Sequence, residues 1–142
     1  SPSLLKKSLP EAMQEILPAV AEGSEFRFIV EGTPRKLPTT TTNHLLRIAR
    51  EAVINARRHA KPTWIEVSLH YEIDEIRLEI IDDGTGFDPK QRPPDGHFGI
   101  TGMRERANKI FAEFAIESSP SIGTKVEIRL PSSSPANQST KN

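Results

Sequence analysis

Residues 45–60 read LLRIAREAVINARRHA, and the fold turns on how this stretch is wound. At 100° per residue it is an amphipathic helix. Leu45, Ile48, Ala49, Ala52, Val53 and Ala56 make one apolar side, and Arg47, Arg50, Arg57 and Arg58 lie opposite. The predicted helix runs from about Thr41 to Ala60, where Pro62 closes it. Glu51, Asn55 and His59 recur four residues apart and fall in the seam between the two sides. Read alone, Glu51 pairs with Arg47 or Arg58 at helix spacing, and Asn55 and His59 cap nearby loops. Read as a site, a neutral amide oxygen suits a hard cation such as magnesium. Arg58 and His59 would then meet phosphate oxygens.

Outward from this helix the periods change. "SLPEAMQEILPAVAEG" predicts a first helix with a capping box at Ser8 and Glu11, and Leu9, Met13, Ile16 and Val20 as its apolar stripe. Pro18 predicts a kink or an early stop. "EFRFIVEG" alternates as a strand with Phe26, Phe28 and Val30 on one side. After Pro62, "WIEVSLHY" and "EIRLEIID" read as a hairpin that buries Ile65, Val67, Leu69 and Tyr71, then Ile76, Leu78 and Ile80. A long aperiodic stretch follows from Asp83 to Gly99, of a kind that compact domains keep when it has a use. "ITGMRERANKIF" predicts a third helix with Ile100, Met103, Ala107 and Ile110 inward. "AEFAIESS" and "TKVEIRL" close the pattern as a second hairpin around "PSIG". Residues 132–142 are small and polar and read as a disordered tail, leaving 1–131 as one domain. Three helices and about five strands, mostly hairpin-paired, predict an α+β fold: a two-layer sandwich with the helices on one face of a mixed, mostly antiparallel sheet.

Composition narrows the function classes. Lysine plus arginine number 19 and aspartate plus glutamate 19, so the chain is neutral and lacks the basic footprint of a nucleic-acid binder. No cysteine is present, which removes disulfides, thiolate nucleophiles and cysteine-ligated metals, and fits a reducing cytoplasm. No apolar run approaches the roughly 18 residues of a membrane span, and no signal peptide is visible, so no membrane contact is expected of this fragment.

Three further anomalies accompany the seam. Asp82 lies two residues beyond Ile80 and so continues an apolar strand face, where a carboxylate needs a hydrogen-bond donor. A planar base with an exocyclic amine would satisfy it and fill an apolar slot, although Asp-Gly also simply starts turns. Gly84 and Gly86 follow in "DDGTGF" and allow close backbone approach to a ligand. Thr124 shares the face of Val126, Ile128 and Leu130 and repeats the polar intrusion on the last strand. "GHFGITGM" brings Gly96, Gly99 and Gly102 into a helix start, where backbone N–H groups and the dipole attract anions. It is neither a Walker loop nor a dinucleotide fingerprint. "DDGTGFD" lacks the spaced acids and closing glutamate of a calcium loop.

In this order, "EAVINARRHA", "DDGTGF", "GITGM" and "GTKVEIRLP" resemble the asparagine box, the two glycine boxes and the closing strand of one family. It is the ATP-binding domain of sensor histidine kinases, in the superfamily of DNA gyrase, the mismatch-repair ATPases and the heat-shock 90 chaperones. "GITGMRERA" resembles the subfamily paired with response regulators that carry helix-turn-helix output domains. The chain departs mildly where Asp83 and Ile100 stand for the family's frequent Asn and Leu.

The resemblance implies a Bergerat ATP-binding fold and a role for each matching residue. Asn55 would coordinate magnesium bridging the ATP phosphates, with Arg58 and His59 nearby. Asp82 would accept from the adenine amine in a pocket shaped by Gly84, Gly86 and Thr124. Gly99 and Gly102, with Ile100 and Met103 in the same motif, would let the phosphates lie over the third helix. Residues 87–98 would form a lid, with Lys90 and Arg92 reaching phosphate. Glu51 matches the general base of the family's ATPases. His44, His59, His70 and His97 are followed by Leu, Ala, Tyr and Phe, so none fits the family's phosphoacceptor, a histidine followed by an acid. The acceptor is therefore expected on a separate dimeric helical domain of the parent protein. A serine kinase of the anti-sigma type shares such a pocket and is the nearest rival, against which "GMRERA" counts. A non-catalytic nucleotide-binding module is a more distant one.

Overall fold

The computed structural model describes residues 7–86 and 99–138. Helix α1 spans Leu9–Val20, capped by Ser8, whose side chain accepts from the Glu11 N–H while Glu11 reaches back to the Ser8 backbone. It runs through Pro18 to Val20, against the expected early stop. Pro18 and Gln14 are both exposed, so water serves the carbonyl that proline leaves without a donor. The buried stripe is Leu9, Ala12, Met13 and Leu17; Ile16 and Val20, expected inside, lie at its border.

Strand β1 (Glu25–Glu31) precedes α2 (Thr39–Asn55), which continues as one wide π turn over Ala56–Ala60. Strands β2 (Trp64–Tyr71) and β3 (Glu75–Asp82), helix α3 (Ile100–Lys109), and strands β4 (Glu113–Ser119) and β5 (Gly123–Pro131) follow. The sheet order is β1-β2-β3-β5-β4, with β1 parallel to β2 and every other pair antiparallel. All six apolar positions of the 45–60 stretch are buried, as are Ile65, Val67, Leu69 and Tyr71 of β2 and Ile76, Leu78 and Ile80 of β3. The inward residues of α3 are Met103, Ala107 and Ile110, with Ile100 packed at the margin.

Period two sends the other strand residues to the outer face. There Glu79 bridges His70, Arg77 and Lys125, and Arg129 links Glu127 to Glu75. A ladder of charge on one face and a single apolar core on the other is the pattern of a sheet covered on one side.

Of the expected tail at 132–142, residues 139–142 lie outside the described residues. Residues 132–138 fold back as a strap with a 3-10 turn over Pro135–Asn137. Asn137 Nδ2 donates to the Leu130 carbonyl at 2.8 Å, Ser134 Oγ to the Ile110 carbonyl at 2.8 Å, and Thr41 Oγ1 to the Ala136 carbonyl at 2.7 Å. Polar residues here are not solvated spacer; they satisfy backbone at the joint of α2, α3 and β5.

Candidate functional site

The π turn ends α2 with the Lys61 N–H donating to the Ala56 carbonyl at 3.1 Å, five residues back, and Lys61 in the left-handed region at φ 45°. A π turn is underwound, so His59 is carried less far round the axis than an α turn would take it. Asn55 and His59 both line one cleft, beside Ala52, Ala56 and Ala60. Arg58 is exposed and does not line it. Arg57 turns the other way, with Nη1 donating to Ser24 Oγ at 3.4 Å.

The opposite wall is the end of the sheet. Asp82 is the last residue of β3 and pairs with Ile65 of β2 and Thr124 of β5. It is 6% exposed, on the helix-facing side with Ile80. The Gly84 N–H donates to Oδ1 at 2.8 Å. Burial pushes the Asp82 carboxyl pKa up, with Asp83 adding to the rise, while backbone donors from Gly84 and Thr124 pull the other way. The neighbouring Asp83 is structural. Its Oδ1 accepts from the N–H groups of Thr63 and Trp64 at 2.8 and 2.9 Å, fastening the start of β2.

Two glycines make this corner close. A Cβ on Gly84 would lie 2.7 Å from the Ala60 carbonyl oxygen and 2.8 Å from Asp82 Oδ1. Gly86, at φ +65°, lines the cleft and lies against the Ser119 carbonyl. Thr124 Oγ1 shares a hydrogen bond with Ser118 Oγ at 2.7 Å. Ile80, Ile100, Met103, Ile116 and Val126 complete the lining, so the slot is mainly apolar with Asp82, Asn55, His59 and Thr124 as its polar residues.

The glycines of α3 differ from each other. Gly99 is the N-cap at φ 54°, and a Cβ there would stand 2.6 Å from Glu51 Oε1. Glu51 therefore sits at the positive end of α3 rather than in the cleft lining, a stabilising place for a carboxylate. A Cβ on Gly102 would meet no atom of the described residues within 4 Å. Glycine in a helix interior costs about 1 kcal/mol relative to alanine, and packing against the described residues gives no reason for that cost here.

The structure thus gathers Asn55, His59, Asp82, Gly86, Ile100, Met103 and Thr124 into one cleft. Gly84, Gly99 and Glu51 stand behind its walls, and Arg58 stands apart. Lys90, Arg92 and the expected lid lie outside the described residues. Ile80, Ile116, Val126 and Ser118 were missed by the sequence reading. Alternation marks Ile116 as inward, but only the β4–β5 register, which pairs Ile116 with Val126, sets it across the slot. Among the described residues no three acids or histidines cluster as a metal cage. One amide ligand fits a magnesium ion that takes its other ligands from phosphate and water.

The family described as "Histidine kinase-, DNA gyrase B-, and HSP90-like ATPase" matches residues 40–134. Sensor protein VraS of Staphylococcus aureus (strain COL) is 34% identical over 128 residues, covering 90% of this chain and 37% of VraS. VraS of Staphylococcus haemolyticus (strain JCSC1435) is also 34% identical, and 36% of it is covered. The chain spans little more than a third of these relatives. Among solved structures, the histidine kinase domain of the Erythrobacter litoralis EL346 blue-light activated histidine kinase aligns at TM-score 0.69 and 22% identity, over 87% of this chain and 65% of that one. The mycobacterial sensor histidine kinase MprB aligns at 0.65 and 20% identity, over 87% and 91%.

Proposed function

This chain belongs to the family of histidine kinase-, DNA gyrase B- and HSP90-like ATPases, and on that footing we propose that it is the ATP-binding catalytic domain of a sensor histidine kinase. Residues 1–131 with the following strap form that domain. It holds Mg-ATP and presents the γ-phosphate to a histidine on a dimeric helical domain elsewhere in the parent protein, for onward transfer to a response regulator with a helix-turn-helix output domain. The observation that carries the reading is the joining of Asp82 and Asn55 by one apolar slot.

Asp82 and Asn55 divide the work. Asp82 is fixed by the Gly84 N–H and is buried among apolar residues, so its carboxylate accepts from a purine amine in low dielectric, where one hydrogen bond discriminates strongly. Ile80, Met103, Ile116 and Val126 sandwich the base. Asn55 offers the amide oxygen for magnesium, which neutralises phosphate charge when bound, and His59 lies beside it. Open space over Gly102 leaves room for the phosphate chain along α3. Phosphoryl transfer asks a protein mainly for positioning and charge neutralisation, and this domain supplies the donor side of both. Lys90 and Arg92 are proposed as phosphate contacts from the lid. Glu51 positions α3 through Gly99. No described helix is long and apolar enough to cross a membrane; we place the domain in the cytoplasm, where ATP is.

The test is isothermal titration of the chain with ADP and a non-hydrolysable ATP analogue, with and without magnesium. Saturable, magnesium-dependent heat is expected, with little turnover because the acceptor histidine is elsewhere. No heat at millimolar nucleotide would overturn the proposal.

A further inference from the structure

Charge is unevenly laid out on this neutral chain. Helix α2 with its π turn carries Arg47, Arg50, Arg57 and Arg58 against Glu51 alone, and α3 carries Arg104, Arg106 and Lys109 against Glu105 alone. On the sheet's outer face Glu75, Glu79 and Glu127 are held by Arg77, Lys125 and Arg129, whereas Arg47, Arg106 and Lys109 make no ion pair among the described residues. These three converge on His44, whose Nδ1 is buried without a partner among the described residues. Burial lowers the His44 pKa, and the nearby charges of Arg106, Lys109 and Arg47 lower it further.

Beside this cluster lies a groove lined by Pro38, Thr40, His44, Lys109, Phe111 and Pro135. Phe111 is 69% exposed and stands at φ 55°. It occupies the residue after the α3 cap, where the Ala112 N–H turns back to the Ala107 carbonyl at 2.9 Å. Glycine is the residue that this left-handed position favours. A bulky aromatic there costs backbone energy and gains no burial, so the fold of the domain does not account for it. Ile73, 99% exposed, is tied to the same end of the molecule, since Ser132 Oγ donates to the Ile73 carbonyl and Ser134 Oγ to the Ile110 carbonyl. His44 is eleven residues before Asn55, which is about 16 Å along α2 from the nucleotide cleft.

We propose that the groove between the start of α2 and the end of α3 docks an acidic, amphipathic protein segment, with Phe111 as the apolar anchor and Arg47, Arg106 and Lys109 as the cationic rim. Charge complementarity selects the occupant: carboxylates face the unpaired cations while a leucine or phenylalanine lies on Phe111. The surface is separate from the ATP cleft, so the inference does not depend on the nucleotide reading.

The test is fluorescence anisotropy of the full chain with a labelled amphipathic peptide of about 15 residues, glutamates flanking a leucine–phenylalanine stripe. A peptide with lysine for each glutamate is the control. Saturable binding is expected, weakened severalfold by raising the salt to about 1 M and not displaced by ADP. Phe111→Gly should weaken it at least about fivefold, as loss of an aromatic anchor does, while leaving the melting temperature unchanged or higher. Lys109→Glu and Arg106→Glu should each weaken it, and their combination more. The proposal is overturned by no saturable binding at millimolar peptide, by equal binding of the lysine control, or by binding that ignores these substitutions. It is equally overturned if phosphatidylserine vesicles, and not the peptide, bind in a manner that the same substitutions abolish.

Discussion

Replacing Asp82 with asparagine separates the site from the scaffold. The substitution keeps shape and keeps an oxygen to accept from the Gly84 N–H at 2.8 Å. It removes a charge from a residue 6% exposed. Because burial raises the Asp82 pKa in the folded state, the sign of its stability contribution is fixed. Stability from this group is fully present below the ordinary carboxylate pKa and is lost as pH rises through the raised folded value. At neutral pH the charged carboxylate is therefore a cost to folding, and Asp82→Asn should unfold no earlier than the parent. Nucleotide binding should move the opposite way. A hydrogen bond to a charged acceptor contributes about 1.5–3 kcal/mol, which is roughly 10- to 100-fold in affinity. Calorimetric titration should show that loss equally for ADP and ATP, since both carry the same base. As pH falls, adenine nucleotide affinity of the parent should begin to drop above the usual carboxylate range, and the variant should lack that component. Undiminished affinity would refute the role given to Asp82. A large fall in melting temperature alongside lost binding would refute the account of the corner as an electrostatic cost held for the ligand.

Other perturbations read other parts of the molecule. Asn55→Asp should leave the fold intact and change the magnesium dependence of nucleotide binding, read by titrations with and without the metal, because an added negative charge competes with phosphate for the ion. Gly102→Ala should raise stability by up to about 1 kcal/mol in chemical denaturation, since the added Cβ meets none of the described residues, and should weaken triphosphate binding if phosphates pass over α3. Ending the chain at Pro131 removes five hydrogen bonds between the strap and Leu130, Ile110, Thr41, Ile73 and Asp74. At about 1 kcal/mol each, the loss is about 5 kcal/mol, seen as a lower urea midpoint at nearly the same slope.

What the sequence displayed was whatever repeats with a period. The polar column of Glu51, Asn55 and His59 shows at spacing four, and Asp82 and Thr124 show as breaks in two-residue alternation. Helix pitch and strand pleat are local, so a polar residue at an apolar position can be found without knowing the fold. The register Asp82↔Thr124 then places both breaks side by side. What stayed hidden depends on contacts between distant segments. The α1 stripe is rotated toward Leu17 because the angle at which a helix lies on its neighbours is a packing outcome. The strap is polar in composition, and its order comes from the Leu130 and Ile110 carbonyls and the Thr41 hydroxyl, none of which composition reveals.

The π turn is the most instructive case, because the column that pointed to the site is continuous only on paper. Spacing four predicts that His59 stacks on Asn55 in an α-helix, yet α geometry stops at Asn55 and the next turn is wide. Two distant constraints meet there. The Ala60 carbonyl receives the Thr85 N–H at 3.0 Å, and Gly84 lies against Ala60, so the end of α2 is fastened to the exit of β3. Asn55, by contrast, is fixed by the buried run from Leu45 to Val53. A helix held at both ends adjusts its winding between them, and a π turn is the low-cost adjustment found often at functional sites. The same contact that widens the helix brings Asp82 and His59 to one cleft. Asp82 and His59 are thus positioned by a single joint, and the polar column is legible in the sequence while that joint is not.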